Sequence, residues 1–464
     1  RAWINNGGDI ALHLAPGHSA RVGGVAHLAR LDWHITPDHR LMTRYSRTRG
    51  HTPHFADYST SGRVSLSGHW YLSEQSLDAV ATQLFSRWRD NSQSELKSAH
   101  HTYTSRRSPS SRFPQVRVSG VPSADGSDTG SVIIGTEETS QLNDLAVENL
   151  QASALATWLL GRHRLTLGFE TERSDFENTF LQNAWGNYSF SNIADFAAGD
   201  PSAFTYQYVL PGRTPVVAWG YTTDSAFLQD RWEIGSRFSL NAGLRVDRLG
   251  TNRNPEYNPA VEEIFHRRND RTFDGITTLS PRAGFVWKLD PASRFVLRGG
   301  AGVFQGRAPG TWLSSPFLND GASTLTNTSI TGGFSPDPEN QSKGNPATRR
   351  QRVDLIGDDF KMPTVARANL ALDHRLPWLG FVATAEVLHT ETVEGLTFKN
   401  LNLRRTATGP DGRAIYGTRT ASFNLSANSS YQHSAYSDVY LLTNTSRGHA
   451  TQFTARLRRP LRKH

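Results

Sequence analysis

Residues 225–247 set the pattern for the chain. Phe238, Leu240, Ala242, Leu244 and Val246 fall on one face, and Ser239, Asn241, Gly243, Arg245 and Asp247 on the other. This is the period-2 alternation of a strand with one apolar and one polar side. The arm before it sets Ala226, Leu228, Trp232 and Ile234 against Phe227, Gln229, Arg231 and Glu233, and Gly235-Ser236 makes a tight turn between the arms. One residue breaks the rule: Asp230 shares the apolar face. A bulge that shifts the phase explains it, and so does a place near a membrane interface, where a charge costs little.

The pattern recurs as hairpins. Leu31, Trp33 and Ile35 lead through Thr36-Pro37-Asp38-His39 to Leu41, Thr43 and Tyr45. Further pairs are expected between 64–72 and 77–88, 152–160 and 164–170, and 283–289 and 295–303. Two more join 366–372 to 381–387 across Leu376-Pro377-Trp378-Leu379, and 439–444 to 451–457. The sum is about fourteen strands. Turns within hairpins are short, whereas 89–149, 173–222, 249–279, 305–363 and 391–436 read as long connections rich in Gly, Pro, Ser, Asn and Asp. Compact soluble domains rarely carry repeated structureless loops beyond about 12–15 residues. Outer-membrane barrels combine short periplasmic turns with long extracellular loops. The pattern therefore predicts an all-β, antiparallel transmembrane β-barrel whose apolar faces point outward into lipid. Trp232 and Trp287 sit near the short-turn ends, where an interfacial aromatic girdle belongs.

Composition narrows the alternatives. The 464 residues contain no cysteine, which excludes disulfides, zinc-thiolate sites and a thiol nucleophile. Mean hydropathy is −0.51, a poor test for a barrel with a polar lumen. The apolar run 152–160 is too short for a membrane helix, which needs ~20 residues. Net charge is +8, from 50 Lys and Arg against 42 Asp and Glu. The cations are dispersed among acids, which argues against nucleic acid as a partner.

Several segments resemble the barrel of TonB-dependent outer-membrane receptors, most closely the subfamily with an N-terminal carboxypeptidase-regulatory-like domain. They are LARLDWHITPDHRLMTRYS (28–46), GRHRLTLGFE (161–170), FSNIADFAAGDPSAF (190–204), AFLQDRWEIGSRFSLNAGLRVD (226–247), LSPRAGFVWKLDPASRFVLRGGAGVF (279–304), and DDFKMPTVARANLALDHRLP (358–377) with FKNLNL (398–403). Within the third, Ser191 is placed to N-cap a short loop helix that Gly199 ends. The resemblance implies a 22-stranded barrel in the bacterial outer membrane, a plug domain inside it, and energy from the TonB complex. Residues 1–464 then read as part of one barrel domain, with plug, signal peptide and C-terminal strands expected outside the sequence, so that this segment alone would not transport. The implied partners are outer-membrane lipid, the protein's own plug, TonB and a solute of unread identity: metal, siderophore, glycan or peptide.

Candidate chemistry is sparse. Gly300, Gly302 and Gly306 follow a strand but lack dinucleotide-loop spacing. No hydrolase, zinc-protease or P-loop motif is present. No catalytic residue, cofactor or metal is assigned, although His51, His54, His100 and His101 are loop candidates for a metal. The N-x-S/T triplets at Asn187, Asn327, Asn424, Asn428 and Asn444 are common by chance in such loops. The best functional candidates are charges on the polar faces: Arg231, Arg245, Asp247, Arg282, Arg298, Arg367 and Glu386, with Arg30, Arg44, Asp32, Glu233 and Asp373. They suit a ligand path favouring anions, or bonds to the plug and to lumen water. Loop aromatics Trp185, Tyr188, Trp312 and Phe317 are candidates for ligand capture. The expected function is TonB-energised uptake of a scarce solute. The alternatives are a passive porin or adhesion barrel and, further off, a secreted all-β enzyme or lectin.

Overall fold

The computed structural model describes residues 2–5, 9–15, 24–58, 62–345, 350–377, 380–416, 418–419, 425–426 and 431–459, with side chains within 24–416 and 431–459. Fifteen strands form an antiparallel meander. They are β1 (Ala2–Asn5), β2 (Asp9–Ala15), β3 (Gly24–Thr36), β4 (His39–His54), β5 (Tyr71–Arg89), β6 (Ser92–Pro109), β7 (Asn143–Leu160) and β8 (His163–Phe180). The meander continues with β9 (Val216–Ile234), β10 (Phe238–Thr251), β11 (Thr277–Lys288), β12 (Phe295–Gln305), β13 (Thr364–Arg375), β14 (Val382–Asn400) and β15 (Tyr436–Thr445 continuing as His449–Arg458). Each pairs with its sequence neighbour. Among the described residues β1 and β15 do not pair, so the sheet is open.

Register gathers the charges on one face. All twelve charged candidates lie on one face of the sheet, alternating with the apolar residues of the other. The apolar face is the exposed one: Leu228, Trp232, Leu244, Val246, Leu279, Trp287, Leu370 and Phe453 are all solvent-accessible. On β10 that face runs from Phe238 to Val246 before Arg248, and on β7 from Leu160 to Leu150 before Glu148. Nine to eleven residues of strand tilted by ~40° rise ~23–28 Å, which brackets the ~25 Å apolar band of outer-membrane barrels. Trp33, Trp88, Trp158, Trp232 and Trp287 all sit at the short-turn end of the band. They extend the girdle anticipated from two of them.

Several expectations need correction. Residues 77–88 do not pair back onto 64–72. They belong to β5, whose hairpin partner is β6, inside the region read as a long loop. The pair 439–444 and 451–457 is not a hairpin: both segments run antiparallel to β14, end to end, as one strand interrupted at 446–448. Strands outrun the apolar stripes that located them, because beyond the lipid neither face needs to be apolar, and the long connections shrink accordingly. The loop helix α1 (Ile193–Ala198) is capped by Asn192, whose side chain accepts from the Asp195 N–H, rather than by Ser191, and Gly199 ends it in the left-handed region. The turn at Leu376-Pro377-Trp378-Leu379 lies partly outside the described residues. Asp230 stays in unbroken register with Leu165 and Ala242, so no bulge places it outward. Its Oδ2 lies 2.7 Å from His163 Nδ1, and the His163 ring stacks on Trp232 at 5.2 Å. This pair belongs at the short-turn interface.

The long connections build a cap. Segments Arg63–Ser65, Thr129–Ile134, Gln115–Pro122, Asn187–Phe190, Ala203–Val209 and Thr324–Asn327 pair in that order as a six-stranded sheet. Gln351–Ile356 then joins β15 in parallel. The buried apolar residues concentrate here. One cluster holds Val116, Tyr188, Phe190 and Phe204, and another Val261, Val353, Tyr436 and Val439. A third, with Trp219, Phe273, Leu313 and Phe360, lies at the mouth of the sheet. Within the membrane band Ala371 is the one fully buried apolar residue among those described.

Candidate functional site: the lumen wall and its mouth

The polar face is concave. Arg307, just beyond β12, makes a bidentate ion pair with Glu172 on β8, a chord across the three strands between them. Behind Arg307, α2 (Gly310–Leu318) packs Leu313 and Phe317 against the upper wall, where Phe317 stacks on Trp219 and Trp219 on Phe176, at 5.3 and 4.8 Å. Thus the chain after β12 folds inward over the mouth.

Below it the wall charges sort into groups. Arg245 on β10 binds Glu170 at 2.6 Å and Asp247 at 2.9 Å, and Asp247 also accepts from the Ser225 hydroxyl at 2.6 Å. Arg298 on β12 reaches Asp373 at 3.0 Å and Glu386 at 3.4 Å, while Glu386 accepts from Asn369 and Asp373 from Thr384. Both clusters are compensated: each guanidinium faces carboxylates that carry further hydrogen bonds. Arg231 pairs with Glu233 at 2.8 Å and Arg30 with Asp32 at 2.7 Å. Arg44 lies directly opposite Arg30.

Between the two clusters stand Arg282 and Arg367. Gly302 separates them in register, so the row reads Arg282, Gly302, Arg367 across β11, β12 and β13. The Arg282 guanidinium rests over the Phe304 ring at 4.5 Å. Neither arginine has a carboxylate partner among the described residues. They line a groove of about 520 Å³ floored by Gly243, Gly284 and Gly300. A Cβ on Gly302 would come within 2.9 Å of Arg282 Cγ, so glycine there lets the side chain lie along the wall. Ser280 and Phe304 were not among the sequence candidates. Only register shows that they share this groove.

The loop aromatics separate. Tyr188 is 2% exposed in the cap core, and its hydroxyl donates to Gln341 Oε1 at 2.7 Å. Phe317 packs into the mouth cluster. The view of Tyr188 as an exposed capture residue is therefore corrected, because its ring is core. Trp185 lies under Arg112 at 5.4 Å, and Trp312, which is exposed, meets Phe398 edge-on at 5.0 Å. Strand alternation sends His100 and His101 to opposite faces, and His100 binds Glu148 at 2.8 Å. In the cap, burial lowers the pKa of His69, whose Nδ1 lies 3.2 Å from the Gly135 carbonyl oxygen, and burial raises that of Asp354.

Comparison with known proteins follows this geometry. The outer membrane transporter YddB from Escherichia coli has a similar fold, with TM-score 0.56 and 11% identity over 97% of this chain and 48% of that one. The ferric enterobactin receptor PfeA from Pseudomonas aeruginosa, in a mutant form, gives TM-score 0.52 and 14% identity over 93% and 48%. The chain thus spans about half the length of these structures. No curated protein matches the sequence itself. The sequence pattern of the family described as the outer membrane beta barrel domain matches residues 25–463. The outward apolar band and the short turns at one end suit an outer-membrane barrel, and the chain belongs to this family: this is a bacterial outer-membrane β-barrel protein with the fold of TonB-dependent receptor barrels.

Proposed function

We propose that the chain forms the wall and extracellular cap of a receptor that imports a scarce solute across the outer membrane with energy from TonB. The single observation that carries this reading is the mouth. The segment after β12 folds inward, ties Arg307 to Glu172 and seats α2 on the upper wall. A passive porin needs a mouth open to diffusion, whereas a receptor that concentrates its solute needs a covered one. The fold likeness to an outer-membrane transporter supports the same reading. The solute-facing surface is the lumen wall, where Arg231, Arg245, Asp247, Arg282, Arg298, Arg367 and Glu386 meet either the solute or a plug segment of the same protein. Trp185 and Trp312 remain the accessible cap aromatics for first contact.

The test compares cells carrying or lacking the full gene, each with and without TonB, by depletion of solutes from a defined medium. The expected result is a solute removed only when both are present, with surface binding retained when TonB is absent. Uptake that persists without TonB and follows the external concentration would replace this reading with a porin.

A further inference from the structure

We propose that Arg282, Arg367 and Ser280 form a binding site for an oxyanion, a carboxylate or phosphate group, on the lumen wall. Three independent features converge. First, two guanidinium groups face one groove with no ion-pair partner among the described residues: Glu170, the carboxylate that lines the groove, is tied to Arg245, and the arginines on either side, Arg245 and Arg298, each hold two carboxylates. The neighbouring acids are thus already committed, and none is left to neutralise the central pair. Second, Ser280 is 1% exposed, lines the same groove, and its hydroxyl has no hydrogen-bond partner. A buried hydroxyl left unpaired costs roughly 1–3 kcal/mol, and an incoming oxygen would satisfy it. Third, Gly243, Gly284 and Gly300 form the floor, so no side chain rises from those positions into the space.

Guanidinium forks match the planar oxygens of carboxylate and the tetrahedral oxygens of phosphate, and two forks flanking one glycine suit a single group of either kind. Phe304 holds Arg282 in place before binding, which lowers the ordering cost. A groove of about 520 Å³ admits a small polyacid. The anion has two sources: a free solute, or an acidic side chain of the protein's own chain outside the described residues. The free-solute form rests on the transport reading. The site itself does not.

The experiment uses the full receptor purified in detergent, with citrate as the probe and thermal unfolding at low salt as the readout. Proteins compared are the wild type, Arg282→Gln/Arg367→Gln, Arg282→Lys/Arg367→Lys, and Arg164→Gln as a control that removes a lumen cation elsewhere on the wall. Heat-modifiable gel mobility confirms that each has assembled. If a free anion fills the site, citrate raises the melting temperature of wild type and control, and the double Gln protein needs at least about a hundredfold more citrate, about tenfold per lost charge-assisted pair. If an internal carboxylate fills it, citrate shifts nothing, the double Gln protein melts lower without any addition, and the Lys pair restores the difference. Two outcomes overturn the proposal. One is an equal citrate shift in wild type and double Gln protein. The other is no citrate shift together with an unchanged melting temperature in the double Gln protein. TonB-dependent uptake plays no part in this readout, so failure of the transport reading and failure of the site are told apart.

Discussion

The wall and the cap are built from one alternating chain by opposite rules. On the wall, Leu228, Leu244 and Phe453 point away from the protein, and the interior holds Arg245, Arg298 and Glu386. In the cap, Phe190, Tyr188 and Val116 are buried against one another, as in a soluble domain. Lipid supplies the missing half of the core for the wall; the cap must supply its own. The same substitution class therefore has different consequences in the two regions, and the difference depends on the surrounding solvent.

The largest effect is expected in the cap. Phe190→Ala should cost about 3–5 kcal/mol through lost burial and the cavity left behind. Limited proteolysis should cut cap segments while the wall stays folded, and the loss should be equal in detergent and bilayer. Next, Leu228→Arg should cost about 2–4 kcal/mol when the protein is in a bilayer. Unfolding in bilayers of different thickness should change that figure and leave the Phe190→Ala figure alone; if both respond alike to lipid, the division between the regions fails. A smaller effect, about 1 kcal/mol, is expected from Arg307→Ala, which takes the guanidinium from Glu172 and leaves it the Asn149 amide. Hydrogen exchange should quicken over 306–318 and little elsewhere.

The smallest effect is a pH slope confined to the cap. Burial lowers the His69 pKa, opposed by the Gly135 carbonyl and by Glu137, Asp57 and Glu138. The unfolded cap then binds a proton more readily than the folded one. His69 leaves the cap fully stable above its unfolded pKa of about 6.5 and weakens it as pH falls below that value toward the folded pKa. Cap proteolysis should accelerate between about pH 7 and about pH 5, and His69→Gln should flatten the profile.

Alternation made most of the wall legible because one face had to be apolar wherever lipid touched it. It failed where that requirement lapsed. Strand β6 shows lipid only Ser92, Ser94, Leu96 and Ser98 before His100, so it carries no apolar stripe. The cap strands are short, and even where one alternates, as Phe204, Tyr206 and Tyr208 do, the pattern alone does not tell a core face from a lipid face. The seventh pair misled because two alternating segments separated by Ser446-Arg447-Gly448 look like a hairpin, although the chain continues straight along β14. For the candidate site, alternation puts every arginine on the one face that the register shows them sharing. Which of them are neutralised depends on cross-strand register. Arg298 is separated by 75 residues from Asp373 and by 88 from Glu386, and no local pattern announces such partners.

The cap sheet has a consequence for the order of assembly. Its strands come from 63–65, 115–134, 187–209 and 324–327, and Gln351–Ile356 ties the adjoining segment to β15. Three of its five neighbouring pairs join segments from different connections, and one of them, 206–209 with 324–327, is more than a hundred residues apart. Closing such distant pairings is entropically slow, and it becomes local only after the hairpins beneath have zipped into register. A slip of one residue in any of them would turn a cap strand over and expose its core face. The cap is therefore the last part to form, and its protease resistance reports that every strand below has reached its proper partner.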